Sequence, residues 1–156
     1  TGTVDDAVGT YRWDAKNLVA DAIDAGSSGL MMWNLALDSD HGPKDPGARH
    51  GCQRCRGIVT VTPDAMTREP EFATLAHLSR AAAPGAHVVD ADAAEWLNVA
   101  AFRNPDGTVG VFGQNRSATE QTIRIAIGDG AGRRYVVRPD EMFTYRARVP
   151  GSTGPG

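Results

Sequence analysis

The sequence predicts an α/β segment, the end of a (β/α)8 barrel, joined to an antiparallel β-sandwich. Residues 30–37 are apolar except for one asparagine, and they lie between a helix-like segment and a polar loop. This pattern is typical of a parallel strand buried on both faces. From His87 onward apolar and polar residues alternate, which predicts short antiparallel strands. We therefore expect the barrel end over 1–85, the sandwich over 86–149 and a flexible tail over 150–156.

Composition limits the possible functions. The chain has 156 residues, an apolar fraction of 41% and a net charge of −3, so a core is possible and a nucleic-acid partner is not expected. No apolar run approaches the roughly 18 residues that a membrane span needs. The sequence begins with neither an initiating methionine nor a signal peptide, and we expect it to be a fragment of a longer protein.

The first half of the chain reads as a helix followed by a strand. Helix-spaced apolar residues predict a helix from about residue 13 to 25, with Asp14 near its start and Gly26 as its C-terminal cap. The stripe consists of Tyr11, Ala15, Leu18, Val19, Ala22 and Ile23. A short turn leads to the strand over about 29–37. One helix and one buried strand are what the end of a barrel contains.

A second helix and six strands are predicted after the loop at 38–57. The loop is long for a compact domain, and such loops are often functional. A short β-like run covers Ile58–Thr62, and the next helix has Pro70 near its first turn and ends before Pro84 and Gly85. The predicted sandwich strands are His87–Val89, Leu97–Arg103, Val109–Asn115, Gln121–Ile127, Arg134–Arg138 and Met142–Arg148.

Three stretches of the chain resemble a known family. They read WNLALDSDHGP, GCQRCRGIVTV and FATLAHLSRAAAPGAHV. They resemble the last barrel strand and the following segments of glycoside hydrolase family 30, the glucosylceramidase-like enzymes. The resemblance implies that the chain is the C-terminal portion of a secreted, retaining β-glycosidase. It also implies a side sandwich to which the N-terminus of the whole protein contributes strands.

The catalytic residues are expected outside this chain. Retaining glycosidases use two carboxyl groups about 5 Å apart, and in the family both are glutamates on barrel strands that precede the WNLAL strand. None of the five glutamates here follows a buried strand; they are Glu69, Glu71, Glu95, Glu120 and Glu141. The chain alone is therefore predicted to be inactive.

Trp33, Asn34 and Asp38 are the candidate substrate-binding residues. An indole can stack on the apolar face of a pyranose, and the residue matching Trp33 in the family lines the sugar subsite. The alternative for Trp33 is a packing role inside the barrel. Asp38 and Asp40 follow the end of the strand, where loops reach a substrate. Their alternative is a local turn in which the carboxylates bind backbone N–H groups.

Cys52 and Cys55 form a single CxxC pair in the loop. A local disulfide of a secreted enzyme, free thiols, and zinc binding with His41 and His50 all remain possible, and the disulfide is preferred. No cofactor and no metal are expected. His77 is interpreted as a packing residue on the second helix.

Two classes of function remain open. One is the glycosidase portion, whose substrate would be a β-linked glycoside or glycan of glucosylceramide, β-1,6-glucan or xylan type, and whose other partner would be the preceding part of the same protein. The alternative is a non-catalytic β-sandwich that binds carbohydrate or has a structural role. The apolar run at 30–37 separates the two, because a free-standing sandwich does not need a strand buried on both faces.

Overall fold

A computed structural model of the chain describes residues 6–45, 47 and 54–149, and the predicted tail lies outside them. Its helical elements are α1 (Ala7–Trp13), a π-helical segment (Asp14–Asp21), α2 (Ala22–Asp24) and α3 (Pro70–Ala81). The strands of these residues are β1 (Ala36–Leu37), β2 (Val59–Val61), β3 (Met66–Arg68), β4 (His87–Val89), β5 (Leu97–Arg103), β6 (Thr108–Asn115), β7 (Gln121–Ile125), β8 (Arg133–Val137) and β9 (Met142–Arg148).

The first helix is longer than predicted because another aspartate caps it. The Asp6 side chain accepts a hydrogen bond of 2.7 Å from the Gly9 N–H, so α1 begins at Ala7. The prediction that Asp14 lies at the N-terminus is wrong, since Asp14 is buried in the middle of the continuous helical stretch. The C-terminal end is as expected, with Gly26 at φ +92°.

The strands form three sheets. β1 pairs with β2 in parallel, and β2 pairs with β3 antiparallel. The largest sheet is antiparallel, with strand order β4-β5-β6-β9, while β7 and β8 form a separate hairpin. All six predicted strands of the second half are confirmed to within two residues. The short, exposed β3 was missed because it has no alternation of apolar and polar residues.

The four-stranded sheet is covered on both faces. One face carries Ala100, Phe102, Phe112 and Met142, which pack against the helices through Ala15, Val19, Ile23 and Ala81. The other face carries Ala101, Val109 and Val111, and contacts Ile125 and Ile127 from the hairpin side. Thus the antiparallel β-sandwich is confirmed, and the helices cover the outer face of its larger sheet. Among the described residues, no helix combines the length and apolarity needed to cross a membrane.

The strand predicted over 29–37 is short and largely exposed. Only Ala36–Leu37 form β1 proper, although the backbone pairing with the next strand extends back to Asn34, whose carbonyl accepts from the Ile58 N–H at 2.9 Å. In the described part of the chain, β1 has a hydrogen-bonded neighbour on one side. A strand with one neighbour leaves one edge and one face uncovered, so the buried run expected from the sequence lies open here.

Candidate functional site

An exposed apolar stripe, formed by Met31, Trp33 and Leu35, precedes β1. Met31, Trp33 and Leu35 are 94%, 76% and 74% exposed, whereas Leu37 is buried. The three exposed side chains lie within five residues of a segment that precedes β1. Asn34 is partly buried, and the peptide bond that joins it to Trp33 is cis. The structure thus places Trp33 on an open surface, three residues before β1 begins.

The loop that follows begins with a tight turn organised by Asp38. Its carboxylate Oδ1 accepts hydrogen bonds from the backbone N–H groups of Asp40 at 2.9 Å and Gly42 at 2.7 Å. Its own N–H donates to the Gly42 carbonyl at 2.9 Å. These bonds favour the turn-forming role of Asp38. Asp40 is exposed, and in the described residues the partly buried His41 has no partner for Nδ1.

Chemically, the stripe and the turn offer two different surfaces. The exposed indole of Trp33 presents an apolar face of the kind that stacks on a sugar ring. Five residues later in the sequence, the exposed Asp38 has a carboxylate whose Oδ1 accepts hydrogen bonds from two backbone N–H groups. Trp33 and Asn34 precede β1 and Asp38 follows it, and the role of the three residues in substrate binding stays a prediction.

A buried charged cluster lies behind the loop. Arg56, at the loop's C-terminal end, contacts Glu71 of α3 with Nη2–Oε1 at 3.3 Å and Glu69 with Nε–Oε2 at 3.8 Å. Glu69 also accepts from the Thr60 hydroxyl at 2.7 Å. Asp14 is buried on the π-helical segment. Burial, then the charge of Glu71, raises the pKa of Asp14 to about 6, against the lowering effects of the N-terminal amino group and Arg56.

Sequence reasoning missed this cluster. The sequence indicates Glu69 and Glu71 as acids at the helix start, and an apolar helix stripe of Phe72, Leu75, Leu78 and Ala82. Glu71 does lie in the first turn, and Leu78 and Ala82 pack against the core, but the fully buried residues of α3 are Glu71, Thr74 and Ala81. The available signal was a charged residue, Glu71, on the same helical face as small residues three and ten positions later.

The five glutamates of this chain contact an arginine, lie exposed, or accept a backbone hydrogen bond. Glu69 and Glu71 contact Arg56, and Glu95 and Glu120 are exposed around the sandwich. The Glu141 carboxylate accepts from the Arg138 N–H at 2.8 Å. The location of the catalytic pair outside this chain stays a prediction.

The cysteine prediction is only partly observable. Cys55 is disulfide-bonded, whereas its predicted partner Cys52 lies outside the described residues, as does His50. The pairing Cys52–Cys55 therefore stays a prediction. Residues 6–45, 47 and 54–149 contain no group of three or more histidine, cysteine, aspartate or glutamate side chains arranged to hold a metal ion.

His77 packs α3 onto the sandwich. The Thr144 hydroxyl donates to the His77 carbonyl at 2.9 Å, and His77 Nδ1 lies 3.0 Å from the same hydroxyl oxygen. Since a hydroxyl has one proton, Nδ1 must donate to Thr144, and the ring is the Nδ1–H tautomer. Burial, followed by the charge of Arg80, lowers the pKa of His77.

Part of the chain matches a known protein family. Residues 85–145 match the glycosyl hydrolase family 30 beta sandwich domain. The matched range covers β4 to β8 and most of β9. This match confirms the resemblance to glycoside hydrolase family 30 that the sequence motifs indicated.

Individual relatives extend the likeness beyond the sandwich. An endo-1,6-β-D-glucanase of Aspergillus fumigatus is 26% identical over 110 residues, which is 67% of this chain and 22% of that protein. The solved endo-β1,6-glucanase BT3312 superposes with a TM-score of 0.76 at 28% identity, over 87% of this chain and 30% of its own. SrfJ from Salmonella typhimurium has the same fold, with a TM-score of 0.81 at 23% identity over 96% of this chain and 33% of its own. This chain therefore spans less than a third of the first two relatives.

Proposed function

Since residues 85–145 carry the β-sandwich domain of glycosyl hydrolase family 30, we propose that the chain is the C-terminal portion of a retaining β-glycosidase. In this proposal residues 1–85 complete a (β/α)8 barrel whose other strands, with both catalytic glutamates, precede them. The boundary at residues 85–86 separates the barrel end from the sandwich. The protein is secreted, as the predicted disulfide in the loop suggests.

The observation that carries the proposal is the exposure of Met31, Trp33 and Leu35. They precede β1, which pairs with β2 in parallel, and a hydrogen-bonded turn at residues 38–42 follows that strand. Active sites of (β/α)8 enzymes lie at the carboxyl ends of the strands. Trp33 then forms a wall of the sugar subsite and Asn34 supports it from the neighbouring side, while Asp38 shapes the adjoining loop.

A β-linked glucan is the favoured substrate class. Two of the reported relatives are named as endo-β-1,6-glucanases, so we propose β-1,6-glucan ahead of glucosylceramide or xylan. The alternative, a non-catalytic carbohydrate-binding sandwich, accounts for residues 85–145. It gives no reason for the apolar stripe at 31–35, which lies outside the sandwich.

The test compares the chain with a version extended by the preceding coding sequence. Alone, the chain should hydrolyse neither aryl β-glucosides nor β-1,6-glucan above background, because no single tryptophan or loop aspartate replaces a general acid and a nucleophile. The extended protein should hydrolyse β-1,6-glucan with retention of anomeric configuration. Activity of the short chain that is lost on changing one of its five glutamates would contradict the proposal.

In the extended protein, Trp33→Ala should lower kcat/KM by about 10- to 100-fold, because stacking area is lost at the subsite. Trp13→Ala is the matched control: this second exposed tryptophan lies at the end of α1, and its removal should leave kcat/KM unchanged. Equal effects of the two changes on kcat/KM would show that Trp33 does not belong to the substrate-binding site.

A further inference from the structure

Buried charges join three parts of the chain that are distant in sequence. Asp14 lies on the π-helical segment, Arg56 ends the loop after β1, and Glu71 lies in the first turn of α3. All three are buried, with at most 4% of each residue exposed. Arg56 donates from Nε to Glu71 Oε2 at 3.4 Å and from Nη2 to Oε1 at 3.3 Å. The Arg56–Glu71 pair therefore fastens the end of the loop to α3, and the charges of both residues act on the buried Asp14.

Asp14 is the least satisfied member of this cluster. Its Oδ2 is buried and has no hydrogen-bond partner in the part of the chain that the structure describes. The charged groups that act on it are Glu71 on α3, which raises its pKa, and the N-terminal amino group and Arg56, which lower it. Arg56 also compensates Glu69. Ionisation of Asp14 thus adds a further negative charge to a dry site in which Arg56 already serves two carboxylates.

We propose that Asp14, Arg56 and Glu71 form a proton-controlled junction, in which a proton on Asp14 keeps the first helix, the end of the loop and α3 together. Loss of that proton loosens the junction. The loop concerned begins at Asp38, directly after β1, so its attachment depends on pH. The proposal does not rest on any glycosidase activity of the chain.

The direction of the effect follows from proton linkage. Burial raises the pKa of Asp14 from 3.8 to about 6, so the folded chain binds this proton more tightly than the unfolded chain. The stabilisation is complete below pH 3.8 and is lost as the pH rises through about 6. From pH 5 to pH 7, Asp14 alone should raise the equilibrium constant for unfolding about tenfold.

The first experiment is urea unfolding of the full chain at pH 5 and pH 7. Other groups also titrate in this range, so the result is the difference between variants. Between pH 5 and pH 7, the equilibrium constant for unfolding should rise about tenfold less in Asp14→Asn than in the parent. At pH 7 the variant should be more stable than the parent. Asp24→Asn, an exposed aspartate of α2, is the control and should keep the parent's pH dependence. An unchanged pH dependence in Asp14→Asn would overturn the proposal.

The second experiment needs no variant. Hydrogen–deuterium exchange of the parent chain at pH 5 and pH 7, corrected for the intrinsic pH effect, should show faster exchange at pH 7 in peptides covering 12–20 and 54–60. Peptides covering β5 and β6 should keep equal protection, because their core contains none of the three residues. Equal protection of the junction peptides at both pH values would also overturn the proposal.

Discussion

At two positions of this chain, the close approach of another element requires a glycine. Gly110 of β6 lies under the end of α3, where an added Cβ would come within 1.9 Å of the Ala81 carbonyl oxygen. Gly113 of the same strand lies under the Phe143 ring, whose Cζ is 2.1 Å from the position of a Cβ. Both glycines let another element approach the sheet backbone, and neither role is visible in the sequence.

We therefore expect Gly110→Ala to destabilise the chain by about 1 to 3 kcal/mol, because either the helix or the strand must move to make room. Gly29→Ala is the matched control, since no atom lies within 4 Å of its added Cβ. Urea unfolding of both variants at one pH measures the difference. Equal stabilities would show that α3 does not press on the strand.

His77 provides a second prediction for a single residue. The ring should be the Nδ1–H tautomer, and its pKa should lie below 6.5, because burial disfavours the charged form. A histidine with a lowered pKa stabilises the fold above the unfolded pKa and loses that contribution as the pH falls. Nitrogen NMR shifts of the ring report the tautomer, and Thr144→Val should free it. A protonated Nε2 in the parent chain would contradict the assignment.

Among the elements, the loop after β1 is held by side-chain contacts at both of its ends. Asp38 closes a turn at one end with two short backbone hydrogen bonds, and Arg56 is buried against α3 at the other. The disulfide at Cys55 lies one residue before Arg56. The loop is therefore held locally at each end, although its sequence is rich in glycine and proline.

We expect mass spectrometry of protein purified without reductant to give a mass two units below that of the dithiol form. The ring closed by Cys52 and Cys55 is small, so the double change to serine should cost no more than about 2 kcal/mol in unfolding free energy. A chelator should leave the melting temperature unchanged, because the pair is expected to be a disulfide. One bound zinc per chain would contradict this prediction and favour His41 and His50 as ligands.

At the scale of the whole molecule, the sandwich is well covered, whereas the apolar segment before β1 is exposed. The four-stranded sheet is packed on both faces. By contrast, Met31, Trp33 and Leu35 form an exposed apolar stripe before β1, a strand with one hydrogen-bonded neighbour among the described residues. An apolar strand with a free edge promotes association.

The isolated chain should consequently bind hydrophobic dyes and self-associate. Replacing Met31, Trp33 and Leu35 by serine should reduce both properties, as measured by dye fluorescence and sedimentation. The control replaces Val88 and Val136, two exposed valines of the sandwich, by threonine and should leave both properties unchanged. A parent chain that is monomeric, melts sharply and binds no dye would contradict the prediction.

The sequence by itself determined the order and type of most elements. Strand alternation, turn residues such as Gly107 at φ +79°, and helix-spaced alanines and valines act over a few residues, so their signals are local and readable. The same patterns located Asp38 directly after a strand, whereas Trp33 lies before β1 begins. The family motifs were also readable, because they are contiguous.

Only the tertiary structure decided which charged groups are buried and which apolar groups are not. Glu71 and Asp14 are buried because Arg56, from a segment more than ten residues away from each, compensates part of their charge. Trp33 is exposed although seven of the eight residues at 30–37 are apolar, because burial of a strand requires partners on both edges and faces, and in the described residues β1 has one hydrogen-bonded neighbour. Burial depends on which distant segments meet, and local sequence patterns do not encode that pairing.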